Sequence, residues 1–157
     1  RFWLISFQYP NYPVKEQTMQ DLVKDWMIDL VVYIDPNEKV LAALSKMRRR
    51  YVNSLIVSPS EENPDYGIIT STDICDKIVA QDKDPSETMI REVMTSPLIS
   101  VSPDQSIFEC AQLMSKHHIH HLPVVDDQKK VIGMISATDF LVVAEALGHG
   151  KEDRQLR

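Results

Sequence analysis

The chain has 157 residues, 43% apolar and 25% charged, with a formal net charge of −6. That apolar share argues against a disordered chain, and the acidic balance argues against a binder of nucleic-acid backbones, whose footprint is a basic face. A chain this long buries roughly two thirds of its unfolded surface, so no disulfide or metal is required for folding. Its two cysteines, Cys75 and Cys110, lie outside any C-x-x-C spacing, which points to a reduced, cytoplasmic protein.

Residues 1–18 carry Trp3, Phe7, Tyr9 and Tyr12. Their apolar run from Phe2 to Phe7 is about a third of the roughly 20 residues that a membrane helix needs, and no signal-peptide pattern surrounds it. Met19 makes a natural start. Residues 1–18 are therefore expected to be either upstream sequence or an aromatic arm packed on the body.

From there the chain repeats itself at a spacing of about 67 residues. Val23-Lys24-Asp25-Trp26-Met27 falls over Ile90-Arg91-Glu92-Val93-Met94. Val31-Val32-Tyr33-Ile34-Asp35-Pro36 falls over Leu98-Ile99-Ser100-Val101-Ser102-Pro103. After a one-residue slip, Gly67-Ile68-Ile69-Thr70-Ser71-Thr72-Asp73-Ile74 falls over Gly133-Met134-Ile135-Ser136-Ala137-Thr138-Asp139-Phe140. The expected units are 19–84 and 85–148, followed by a tail over 149–157.

Each unit reads as β-α-β-β-α. An extended run (31–34; 98–101) ends at a proline, which cannot sit inside a central strand. Helical periodicity follows, with Val40, Leu41, Leu44 and Met47 matched by Ile107, Phe108, Ala111 and Met114 on one apolar face. Asp35 with Asn37, and Ser102 with Asp104, are expected to cap these helices. Next come a buried strand (54–58; 122–125), a polar loop (59–66; 126–130), a second strand (67–70; 131–136) and a second helix (72–80; 138–147). The fold class is α+β, with two such units packed through their sheets about a pseudo-two-fold axis.

The paired Gly-h-h-[Ser/Thr]-x-x-Asp ends, the Leu122-Pro123-Val124-Val125 strand and the Met27 and Met94 preludes resemble tandem CBS domains, the Bateman module. That resemblance covers about residues 19–148. It implies a pseudo-symmetric disc with two clefts that bind AMP, ADP, ATP or a related adenosyl ligand such as S-adenosylmethionine. It further implies a regulatory protein, pairing into homodimers and acting on a partner that the sequence does not identify.

Thr70-Ser71-Thr72-Asp73 and Ser136-Ala137-Thr138-Asp139 each follow a strand and open a helix. One reading is a capping box, in which hydroxyl and acid satisfy helix N–H groups. The other is a phosphate and ribose site, with helix N–H groups and a hydroxyl for phosphate and the carboxylate for the ribose diol. The resemblance maps ribose and phosphate contacts onto Thr70, Ser71, Asp73, Ser136, Ala137 and Asp139.

The second unit also holds His117-His118-Ile119-His120-His121. Its histidines could line a phosphate site, stay solvated or hold a metal. In the resembling family a basic pair stands before the equivalent strand and faces phosphate, and here that pair is His120-His121. The first unit has Asn53-Ser54 instead, so the two clefts should differ, the histidines belonging to the second unit's. Arg48-Arg49-Arg50 suits a helix C-terminus or, alternatively, a phosphate clamp or an acidic partner. No nucleophile motif or P-loop occurs, so no catalysis is expected, and no metal is required. Three functions remain: an adenosine-nucleotide sensor, a dimerisation module with vestigial clefts, or a metal sensor built on residues 117–121.

Overall fold

The computed structural model describes residues 21–145 and Gly148. The expected N-terminal arm, residues 146–147 of the last helix and the tail lie outside the described residues. In chain order the elements are α1 (Val23–Trp26), β1 (Tyr33–Ile34), α2 (Val40–Arg50), β2 (Ser54–Val57) and β3 (Gly67–Thr70). There follows α3 (Ser71–Asp73), which widens into a π-helical stretch over Ile74–Val79, then a 3-10 turn at Ile90–Glu92. The second unit continues with α4 (Ile107–His117), β4 (His121–Val125), β5 (Val131–Ser136) and a helix, α5, over 140–145.

The two units build matching sheets. In the first, β2 pairs in parallel with β1 and antiparallel with β3. In the second, β4 pairs antiparallel with β5, and the place of β1 is taken by a single parallel bridge, Val101 to Val124. The expected strand over 98–101 does not form, and proline chemistry accounts for this. Ile56 donates its N–H to the Val32 carbonyl at 2.9 Å, whereas its counterpart is Pro123, which has no N–H to give.

Each unit's opening segment crosses to the other unit. Ile28 pairs with Met134 of the second sheet, and Thr95 pairs with Ile68 of the first. Val23 and Trp26 sit in the second unit's core with Ile107, Cys110 and Leu122, while Ile90 and Val93 sit in the first with Val40, Ala43 and Leu55. The close approach requires glycine: a Cβ on Gly67 would lie 3.0 Å from Met94 Sδ and 3.1 Å from the Thr95 carbonyl. A Cβ on Gly133 would meet Met27 Sδ at 2.8 Å and the Ile28 carbonyl at 3.0 Å.

The crossing also corrects the capping expectation. Asp35 and Ser102 do not cap the helices that follow; each accepts an N–H two residues on, at Asn37 and Asp104, in a preceding turn. The first helical N–H groups are instead taken by the exchanged segments, Val40 donating to the Thr88 carbonyl and Ile107 to the Asp21 carbonyl, both at 2.9 Å. Ser106 completes α4 with a box of its own, accepting from the Glu109 N–H at 3.2 Å while its N–H donates to the Glu109 carboxylate at 3.0 Å.

The sheets of the two units meet face to face, as expected, around Ile56, Ile68 and Val131, with Tyr33, Tyr66 and Met134 packed alongside. Tyr33 spans this seam and donates its hydroxyl to the Val131 carbonyl at 3.2 Å. The helices cover the outer faces. Val40, Ala43 and Met47 of α2 and Ile107, Cys110 and Met114 of α4 are the buried stripe. Of the residues expected to be buried, Met47 and Met114 are, while Leu44 and Ala111 are half-buried. Leu41 and Phe108 of the same periodic set point outward at 50% and 48% exposure, because the stripe follows i, i+3, i+7 and excludes i+1.

Candidate functional site

The first strand-to-helix junction is a closed capping box. Thr70 Oγ1 accepts the Asp73 N–H at 3.2 Å, and Asp73 Oδ2 accepts from the Thr70 N–H at 2.8 Å and the Thr70 hydroxyl at 2.9 Å. The other carboxylate oxygen, Oδ1, pairs with Lys77 Nζ at 2.7 Å. Lys77 also donates to the Val93 carbonyl at 2.7 Å, so one ammonium joins the junction to the crossing segment. Asp73 is buried. Ser71 donates its N–H to the Asn53 carbonyl at 2.9 Å, which removes it from the donors available to a phosphate.

A cleft of about 200 Å³ opens beside this junction. Thr70, Thr72 and Asp73 of the first unit line one part of it; His118, His120 and His121 of the second line another. Ile68, Ile99 and Ile119 give it apolar walls. His120 and His121 line one cleft with Thr70 and Asp73 of the first unit, a grouping across the two units that the sequence reading did not make. Face-to-face packing of the sheets sets the entry of β4 against the exit of β3. Thr95 joins the site without having been singled out, because its segment crosses over; His118, read before only as one of the histidine cluster, joins because α4 ends there in a left-handed turn (φ 53°). Lys77 could have been noticed only by its i, i+4 spacing from Asp73.

The second junction is built differently. Asp139 Oδ2 accepts from the Ser136 N–H at 2.7 Å and the Ser136 hydroxyl at 3.0 Å, as in the first. The Asp139 N–H, however, goes to the Ser136 main-chain carbonyl at 3.0 Å, and residues 137–139 form a turn before α5 begins. Ala137 donates its N–H to the His120 carbonyl at 2.8 Å. Val143 stands where the first unit has Lys77, and it is buried in the second core. Among the described residues no three His, Cys, Asp or Glu side chains stand together as a metal site, the 117–121 segment included. Nor is any helix among them long and apolar enough to cross a membrane.

Comparison with known proteins agrees with this architecture. The CBS domain profile matches twice, over residues 23–80 and 90–145. An uncharacterized protein of Methanopyrus kandleri is 35% identical over 113 residues, which span 72% of this chain and 57% of that protein, so the chain covers little more than half of its relative. The hexameric CBS-CP12 protein from bloom-forming cyanobacteria superposes with a TM-score of 0.73 at 32% identity, over 77% of this chain and 66% of that one. The CBS domain pair of protein MJ0100, solved with 5′-methylthioadenosine and S-adenosyl-L-methionine, gives a TM-score of 0.69 at 31% identity over 80% of this chain and 96% of that one. The chain belongs to the CBS-domain family, and its two copies form a CBS domain pair, a regulatory module.

Proposed function

We propose that the pair is a sensor of adenosine nucleotides, with AMP, ADP or ATP seated in the His-lined cleft, and that it regulates a partner protein without catalysing a reaction. The observation that carries this reading is the meeting, in one cleft, of a buried carboxylate and its threonine hydroxyls with three histidines from the other copy. A carboxylate has about four acceptor sites, and Asp73 now receives three donors. If the Thr70 hydroxyl turns its proton to a phosphate oxygen, Asp73 gains room for both ribose hydroxyls, while Thr70 Oγ1 still accepts the Asp73 N–H. His118, His120 or His121 then meets the phosphate, and the three isoleucines cover the base. The solved pair of MJ0100 with two adenosyl ligands supports the ligand class.

Ser136, Ala137 and Asp139 form the corresponding second site. Exposed Leu41, Phe108 and Leu141 on the outer helices support a homodimer, which light scattering would report as twice the chain mass. The two free thiols fit the cytoplasmic setting expected from the sequence.

Calorimetry with AMP, ADP, ATP, S-adenosylmethionine and 5′-methylthioadenosine tests the assignment. Asp73→Asn should weaken the best ligand by about ten- to a hundredfold, the worth of a charged hydrogen-bond acceptor. Unchanged affinity in that variant would refute the ribose role.

A further inference from the structure

We propose that Lys77 is the residue that makes the His-lined cleft selective for anionic adenosyl ligands, by cancelling the charge of Asp73. This rests on the reading of Asp73 as the ribose acceptor. A nucleotide carries its phosphate only a ribose's width from the hydroxyls that Asp73 would hold. An uncompensated carboxylate there repels the phosphate it must sit beside, and a partly dry cleft screens that repulsion poorly. Lys77 removes the conflict. Its ammonium lies 2.7 Å from Asp73 Oδ1 and is fixed from the other side by the Val93 carbonyl, also at 2.7 Å.

Folding alone gives little reason for this arrangement. Asp73 is already held through Oδ2 by the capping box. The Lys77 side chain is 41% exposed against 12% for Asp73, so solvent reaches the ammonium and screens part of what the pair contributes to folding. What the pair does is set the sign of the cleft: with Asp73 neutralised, the remaining titratable side chains lining it are His118, His120 and His121.

The second junction lacks the device. Val143 replaces Lys77, and among the described residues no cation is recorded against Asp139. The sequence positions matching His118, His120 and His121 are Tyr51, Asn53 and Ser54, none of them a cation. Among the described residues the Asp139 junction thus lacks the cation that Asp73 has, and it should favour uncharged or cationic adenosyl ligands relative to the first.

The test is the ratio of AMP to adenosine affinity, measured by calorimetry on the whole chain at low and moderate salt. In Lys77→Met the ratio should fall by about three- to tenfold, more at low salt, with adenosine affinity little changed. Lys77→Arg should keep the ratio, and Lys77→Gln should repeat the loss should the Met variant melt early. Equal falls for both ligands would make Lys77 a structural residue and overturn the proposal while leaving the cleft a nucleoside site. So would an unmoved ratio. A parent protein that binds neither ligand would instead overturn the nucleotide reading itself, and the selectivity with it. Asp73→Asn separates the two further: loss of the ribose acceptor should weaken both ligands, AMP the less because the Lys77 charge is then uncancelled, so the ratio should rise.

Discussion

Leu55 and Leu122 stand 67 residues apart and are both fully buried; so are Val57 with Val124, and Ile69 with Ile135. The copies are interchangeable there. They differ at a handful of polar or backbone-limited positions: Ile56 against Pro123, Lys77 against Val143, Asn53-Ser54 against His120-His121, and a closed box at Thr70 against a turn at Ser136. A shared apolar pattern is enough to give both copies one fold. The junction differences fall at strand ends and helix starts, whereas Ile56 against Pro123 and Lys77 against Val143 change positions inside a strand and inside a helix. Two junctions of unequal chemistry follow from one repeated architecture.

The most disruptive way to probe the symmetric part is to hollow it. Leu55→Ala and Leu122→Ala should each cost about 2–5 kcal/mol in urea denaturation and agree within about 1.5 kcal/mol. A larger gap would mean that the two cores are not equivalent. Next in size are the crossings. Gly133→Ala and Gly67→Ala should each cost roughly 1–3 kcal/mol, since the added carbon meets backbone as well as a flexible Met end. Gly133→Ala should cost the more, its contacts being the shorter. Amide exchange should report the site of damage: Ile28 and Met134, which exchange hydrogen bonds of 2.9 and 2.8 Å, should lose protection in Gly133→Ala, and Thr95 in Gly67→Ala.

Much of this was legible beforehand, and the limits have physical causes. The in-register repeat gave both units and their sheet-to-sheet packing, because buried apolar positions alternate and recur whatever their neighbours do. Thr70, Asp73, Ser136 and Asp139 were legible for the same local reason, since strand exit and helix start impose hydroxyl and acid. The crossing was not. Met27 and Met94 look alike, and nothing in a linear pattern says which sheet each joins. That one missing fact hid the origin of the first helical hydrogen bonds and the arrival of Thr95 at the cleft. The outward turn of Leu41 and Phe108 was obscured because an i, i+1, i+4, i+7 set spreads over two faces of a helix.

A third comparison sets Cys110 against Ala43, its counterpart in the first core; both are fully buried. Burial, with a smaller contribution from the Asp139 charge, pushes the Cys110 thiol up from 9.0 to about 12. The raised value means that the folded state keeps the proton while the unfolded chain releases it. The stabilisation is therefore complete below about pH 9 and is lost as pH rises from there toward 12. By about pH 10 the parent should have lost on the order of 1 kcal/mol that Cys110→Ala does not lose. Urea melts of both proteins at pH 8 and pH 10 measure the difference, and parallel losses would remove Cys110 from the account. Cys75, which is exposed, should react with a thiol reagent in the native protein while Cys110 stays protected.

The smallest expected effect separates the two junctions most directly. The Thr70 hydroxyl accepts a helix N–H, that of Asp73, at 3.2 Å. The Ser136 hydroxyl accepts no such bond: the Asp139 N–H has turned to the main-chain carbonyl, and the hydroxyl lies 2.8 Å from Thr138 Oγ1 instead. Removing the first hydroxyl orphans a backbone donor, whereas removing the second leaves the backbone satisfied. Thr70→Val, which keeps the branched shape, should therefore cost about 1 kcal/mol, the worth of an N-cap. Ser136→Ala should cost only a few tenths of a kcal/mol, since its polar partners can turn to water. Thr70→Ser is the control; it loses a methyl group but keeps the acceptor, so it should lie nearer the parent than Thr70→Val does. If Ser136→Ala costs as much as Thr70→Val, the second junction is a closed box in solution too, and the asymmetry between the copies reduces to their charges.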